Sequence, residues 1–163
     1  MVNAVRMNAD ILAYALLGGL AITLLVSIYT DIKYRLILNK ITLTIALAAP
    51  LYWYASGDFT LTAIGIHLLT SLLAFGFFLI WFRFGMMGGG DVKLFAALAL
   101  WFPWNDVVRM IFYAAILGGL VTIVFALIHK AKQQDGPIKV PYGVAIALAG
   151  LWMTGERFFN HYG

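Results

Sequence analysis

Residues 11–30 run for twenty positions without a charged side chain. A helix needs about 20 apolar residues to cross the hydrocarbon of a bilayer. Further apolar stretches follow at 41–54, 59–82, 92–104, 107–128 and 140–159. Such a chain cannot cover a water-facing surface. Only 11% of its 163 residues are charged, whereas a soluble domain averages about 25%. Within a bilayer each backbone polar group must be satisfied by the protein itself, and a helix does this inside one segment. The expected fold is therefore all-α: a polytopic integral membrane protein, a bundle of about six transmembrane helices. Residues 1–163 are read as a single membrane-embedded domain, with no room for a separate soluble one. The first stretch is not read as a cleaved signal peptide, because further spans follow it.

The charges alternate between loops. Lys33, Arg35 and Lys40 lie between the first and second stretches. Arg83 and Lys93 flank the connection between the third and fourth, and Lys130, Lys132 and Lys139 that between the fifth and sixth. The opposite side carries only Arg6, Arg109 and Arg157, together with Asp10, Asp58 and Asp106. Basic loops stay in the cytoplasm, which places both termini outside. The net charge of +4 thus reads as an orientation signal, and no nucleic-acid partner is expected. Trp53, Trp101 and Trp104 fall near the outer ends of spans and Trp81 near an inner end, as interfacial anchors do. The fourth stretch would rise only ~20 Å, about 10 Å short of the hydrocarbon thickness. That shortfall predicts a helix beginning below the membrane surface, in a wet pocket.

Two acids stand in this frame, Asp31 and Asp91. Asp31 follows the first apolar stretch, and Asp91 closes the run Gly88-Gly89-Gly90. An ionisable group at the membrane is costly and usually has a partner or a function. The charge pattern puts both on the cytoplasmic face. Two carboxylates that meet there form an acid/base pair sharing a proton. One carboxylate takes a proton from water, which attacks a peptide carbonyl, while the protonated partner donates to the developing oxyanion and helps the amine leave. Glycines without side chains permit close backbone approach and positive φ, which is the role read for 88–90. Asp91 lies near a helix N-terminus, whose dipole favours its charge, and Asp31 near a C-terminus, whose dipole opposes it. Asp91 is therefore expected to act as general base and Asp31 to hold the proton.

Taken singly, both acids have ordinary explanations. Asp91 could cap a helix, and Asp31 could pair with Lys33 or Arg35. The three motifs now quoted favour the catalytic reading. Gly88-x-Gly90-Asp91 with Val92-Lys93-Leu94 resembles the GxGD motif of the type IV prepilin peptidases. The segment from Asp31 to Leu38-Asn39 resembles their first aspartate motif, with Ile37-Leu38-Asn39 where the family often has Ile-Pro-Asn. Val140-Pro141-Tyr142-Gly143-Val144-Ala145-Ile146-Ala147 resembles their last-span motif. The resemblance covers nearly the whole chain. It implies an aspartic endopeptidase of the bacterial inner membrane, with its site facing the cytoplasm, that removes the leader of type IV prepilins and pseudopilins. It also implies substrates whose apolar helix lies in the lipid bilayer against the enzyme, and possible association with the pilus assembly machinery. Longer members add N-methylation through a cysteine-bearing insertion. This chain has no cysteine and resembles the short form of tight-adherence (Flp) pilus systems, so no methyltransferase activity is expected.

The remaining polar residues have humbler readings. Asn39, Pro141, Tyr142 and Gly143 could shape the site. Lys93 could meet an acidic group of the substrate or Asp91, but is read first as a snorkelling side chain. His67 is read as an interhelical hydrogen-bonder, and His67, His129 and His161 have no metal-binding spacing. Without cysteine there is no disulfide, thiolate zinc site or thiol nucleophile. Ser27, Ser56 and Ser71 lack a nucleophile signature. No cofactor is expected. Gly18-Gly19 and Gly118-Gly119 are read as close-packing points. Three competing functions remain, one of them a catalytically idle assembly scaffold. Presenilin-like proteases also use GxGD, but their other aspartate lies one span earlier rather than two. A small proton-coupled transporter could relay protons through the same aspartates, although no internal repeat is evident.

Overall fold

The computed structural model describes residues 2–131 and 140–160, with side chains over 7–131 and 140–159. Arg6, Lys132, Lys139 and His161, on which parts of the sequence reading fell, lie outside the described side chains. Among the described residues are six helices and no strand: α1 (Val2–Tyr34), α2 (Asn39–Ser56), α3 (Leu61–Arg83), α4 (Gly89–Ala99), α5 (Trp104–Ala131) and α6 (Tyr142–Asn160). Three are long and apolar enough to cross a membrane: Met7–Tyr34, Leu61–Arg83 and Trp104–Ala131. The chain is an all-α membrane protein.

The ends of the helices follow from local chemistry. α1 stops where Arg35 turns left-handed, at φ 54°. α2 ends on Gly57 at φ 82°, whose N–H reaches the Tyr54 carbonyl. The Thr60 side chain accepts the Ala63 N–H at 3.2 Å and so starts α3. Gly85, at φ 71°, closes the turn after α3. Proline precedes both α5 and α6, as Pro103 and Pro141, where a missing N–H costs nothing. The boundaries all shift by a few residues from the sequence reading, and two of the shifts bear on the acids. α1 runs on past residue 30, so Asp31 lies inside its last turn. α4 begins at Gly89 rather than 92 and stops at Ala99, so two of the three glycines belong to its first turn.

α4 and α6 sit at the centre. α4 packs against α2, α3 and α6, and α6 against α1, α4 and α5. With 11 residues α4 rises about 16 Å, too little to cross alone. It is held by burial instead, with Val92, Leu94, Phe95, Leu98 and Ala99 almost wholly enclosed. A helix apolar on all sides needs such a surround. Phe95 packs on Phe78 of α3 with ring centres 4.4 Å apart. Ser71 of α3 donates to the Ala96 carbonyl at 2.8 Å, which makes it a tie to α4. Outward, Ile22, Leu47, Leu72, Phe112 and Ile123 are largely exposed, a surface suited to lipid.

Two tryptophans depart from the anchor reading. Trp53 and Trp101 are buried and bond to main chain: Trp53 Nε1 to the Leu100 carbonyl at 2.7 Å, and Trp101 Nε1 to the Ile45 carbonyl at 2.9 Å. They tie α2 to the turn after α4. Trp104 and Trp81 remain exposed, as anchors would. Gly18, Gly19 and Gly119 face open space, so they are not close-packing points, whereas Gly118 faces Tyr142 and Ala145 of α6. His67 stacks on Trp53 of α2, with centres 5.2 Å apart. At the end of the bundle away from Asp31, Arg109 bonds Glu156 at 2.7 Å, and Arg157 lies 3.7 Å from Asp106 and donates to the Tyr52 hydroxyl at 2.9 Å.

Candidate active site

Three backbone devices converge at one end of α1, α4 and α6. Asp31 stands in the last turn of α1, buried, and its Oδ2 accepts the Val144 N–H at 3.1 Å. Val144 is in the first turn of α6, just beyond the Pro141-Tyr142-Gly143 start. Asp91 stands in the first turn of α4, also buried. Its Oδ2 accepts the N–H of Gly88, the residue preceding the helix, at 3.0 Å. This is the side-chain-to-backbone half of a capping box; Gly88 has no side chain to return the other half. Sixty positions separate the two acids in sequence, and the fold brings them together. A Cβ placed on Gly143 would lie 2.8 Å from Asp31 Oδ2 and 3.0 Å from Asp91 Oδ1. The two oxygens can be no farther apart than those distances laid end to end. Within that bound one water can hydrogen-bond to both carboxylates.

Helix ends set the electrostatics. Asp31 belongs to the C-terminal turn of α1, as the sequence indicates, but its carboxylate points at the N-terminal turn of α6. The dipole of α1 is therefore not the only one it meets, and the expected asymmetry between the two acids is reduced. Each carboxylate accepts a main-chain N–H, Asp31 from Val144 and Asp91 from Gly88, which fixes its orientation.

In front of the pair opens a cavity of about 850 Å³, within the usual range for ligand sites. The sequence candidates gather around it. Asp31, Asp91, Gly88, Gly89, Gly90, Asn39, Lys93 and Tyr142 line it. Gly143 stands behind the carboxylates, and Pro141 is buried at the start of α6. Lys93 does not meet Asp91; its Nζ donates to Asn39 Oδ1 at 3.0 Å and links α4 to α2 at the rim. The glycine run works by close approach rather than positive φ. None of Gly88, Gly89 and Gly90 is left-handed, while a Cβ on Gly90 would sit 3.1 Å from Ile37 Cβ. Ile37 and Val144 stand in the quoted motifs and Arg35 beside Asp31, but none is assigned a role in the site from sequence; Met86 and Met87 go unmentioned. Ile37, Arg35, Met86 and Met87 line the cavity, and the Val144 amide holds Asp31. Among the described residues no group of three or more His, Cys, Asp or Glu side chains is arranged to hold a metal.

Comparison with known proteins identifies the family of the chain. The type IV leader peptidase family profile matches residues 18–123, a segment that contains both aspartates. A prepilin leader peptidase/N-methyltransferase of Legionella pneumophila is 28% identical over 151 residues, covering 88% of this chain and 51% of the relative. One of Pectobacterium carotovorum subsp. carotovorum is 30% identical over 154 residues, covering 90% and 53%. The leader peptidase HopD of Escherichia coli is 34% identical over 64 residues, covering 39% and 40%. The chain spans about half the length of the first two relatives. No solved structure matches. On the family match, which takes in well over half of its residues, this chain belongs to the type IV leader peptidase family.

Proposed function

We propose that this chain is a membrane aspartic endopeptidase that removes the leader of type IV prepilins and pseudopilins at the cytoplasmic face of the bacterial inner membrane. The observation that carries the reading is the approach of Asp31 and Asp91 around Gly143 within a family whose relatives are named as prepilin leader peptidases. The basic residues at the site's end of the bundle, Lys33, Arg35, Lys40, Arg83 and Lys93, support its cytoplasmic placement.

The mechanism follows from two carboxylates and one water. With a single proton between them, the ionised member takes a proton from water as the oxygen attacks the scissile carbonyl. The protonated member donates to the oxyanion, and a proton then passes to the departing amine. The pair titrates as a unit. Burial excludes bulk water and strengthens each of these interactions. A prepilin offers a basic leader followed by an apolar helix. The helix lies in the bilayer beside the bundle, and its junction enters the cavity at the rim. The basic rim does not attract a basic leader, so recognition rests on the helix and on the depth of the junction. The pilus assembly machinery is the natural partner downstream. Of the two activities in the relatives' names, the peptidase alone is assigned to these 163 residues. The cysteines that the resemblance links to methyl-transferring members are absent from them.

The test is purified protein in detergent with a synthetic prepilin, followed by N-terminal mapping of the product. The proposal expects one cut at the junction between leader and helix. Proton-coupled uptake in vesicles, without cleavage, would establish the transporter reading instead.

A further inference from the structure

We propose that Gly143 and Ile37 are positioning residues that set the spacing of the two carboxylates. This rests on reading Asp31 and Asp91 as the catalytic pair.

The argument starts from an absent side chain. The point a Gly143 Cβ would occupy is 2.8 Å from Asp31 Oδ2, 3.0 Å from Asp91 Oδ1 and 2.5 Å from Ile37 Cδ1. Any other residue at 143 must displace these neighbours. The carboxylates cannot move freely, because Asp31 is held by the Val144 N–H and Asp91 by the Gly88 N–H. Only glycine lets the backbone of α6 come up directly behind both acids. The bare Cα also closes the rear of the pair. No water fits between the acids and α6, so the water they share stands on the cavity side, where a substrate carbonyl arrives.

Ile37 is the second part. It lies in the loop between α1 and α2 and is 5% exposed, while its neighbours Leu36 and Leu38 are 56% and 45% exposed. Three apolar residues in a row thus behave differently, and only the middle one is inserted. Its Cβ is 3.1 Å from the point a Gly90 Cβ would take, and its Cδ1 meets the corresponding point on Gly143. Ile37 fills the space between two glycines, one on α4 beside Asp91 and one on α6. It thereby locks the end of α1, and with it Asp31, against the other two helices. Close packing of this kind makes geometry sensitive to single methyl groups.

The experiment uses the full chain and a synthetic prepilin. Gly143→Ala is expected to lose stability and to lower kcat about 100-fold, the scale of a 1 Å misplacement, with little change in KM. Valine lacks Cδ1, so Gly143→Ala/Ile37→Val relieves the tightest contact and leaves both carboxylate contacts. The double variant is expected to regain thermal stability while kcat stays about 100-fold down. Ile37→Val alone is the reference, and the double variant is expected to stay about 100-fold below it in kcat. Recovery of cleavage together with stability in the double variant overturns the proposal, since Gly143 then serves packing only. Wild-type cleavage by Gly143→Ala overturns it too. Ile37→Ala gives an independent reading that needs no residue at 143. A looser pair interacts less, so the two limbs of the pH–rate profile should draw together; an unchanged profile overturns the proposal. Asp31→Asn and Asp91→Asn run in parallel. If these still cleave, the catalytic reading itself fails; if they do not and Gly143→Ala does, the positioning inference alone fails.

Discussion

Replacing Asp91 by asparagine and by alanine separates two roles held by one side chain. Its Oδ2 accepts the Gly88 N–H at 3.0 Å, and its Oδ1 lies on the side of Gly143 and Asp31. Asparagine keeps an acceptor for the Gly88 N–H in nearly the same shape but cannot be a carboxylate. Alanine removes both functions. Losing a helix N-terminal acceptor costs about 1 kcal/mol, and up to about 2 where the orphaned donor is buried. α4 is enclosed by three helices, so the upper half of that range applies. For a chain of this size, about 1.5–2 kcal/mol lowers an unfolding midpoint by roughly 3–8 °C. Removal of a general base lowers the rate by about 10²–10⁴. Asp91→Asn should therefore lose about 10²–10⁴ in cleavage with an unmoved midpoint, and Asp91→Ala should lose the same rate plus that stability. The assays are a prepilin gel-shift time course and thermal unfolding followed by circular dichroism in one detergent. An Asn variant keeping more than about a tenth of the rate refutes the acid/base role. Equal midpoints for the Ala and Asn variants refute the capping role.

Other outcomes follow from the same geometry. Lys93 and Asn39 meet at an exposed rim, so a double-mutant cycle with Lys93→Met and Asn39→Ala should give a coupling below about 1 kcal/mol, and cleavage should persist; a large coupling or lost cleavage contradicts the linking role. Trp101→Phe removes the bond to the Ile45 carbonyl while keeping a ring against Tyr52, and should cost about 1 kcal/mol without changing the rate, as read from denaturation and cleavage together. The chain has no cysteine, so single cysteines report topology cleanly. Leu36→Cys should be labelled by an impermeant reagent only from the cytoplasmic side, and Ser56→Cys only from the outer side; the reverse pattern would invert the proposed orientation.

The helical, lipid-adapted fold was legible because composition and apolar length leave few alternatives. The two acids were legible because acids are scarce here, and each sits beside a recognisable backbone signal. Less could be read where one residue type serves two purposes. Trp53 and Trp101 fall where a membrane belt would lie, yet they fill the core and bond to main chain, and no local pattern separates an amphipathic ring facing lipid from one facing protein. Ile37 was hidden because Leu36 and Leu38 are equally apolar and a four-residue loop has no period. Its burial is decided by glycines more than fifty positions away. The electrostatic contrast between the acids was overdrawn for a similar reason: sequence shows the helix that Asp31 ends, but not the helix start it faces.

The claim on which all else depends is that Asp31 and Asp91 act on one water as a single unit. Cleavage rates of Asp31→Asn, Asp91→Asn and the double variant, each shown to be folded, test it most directly. Groups acting as a unit are strongly non-additive. The account predicts that each single variant loses the activity and that the double variant is no slower than the worse single. A single variant at the wild-type rate, or losses that multiply in the double, would contradict it.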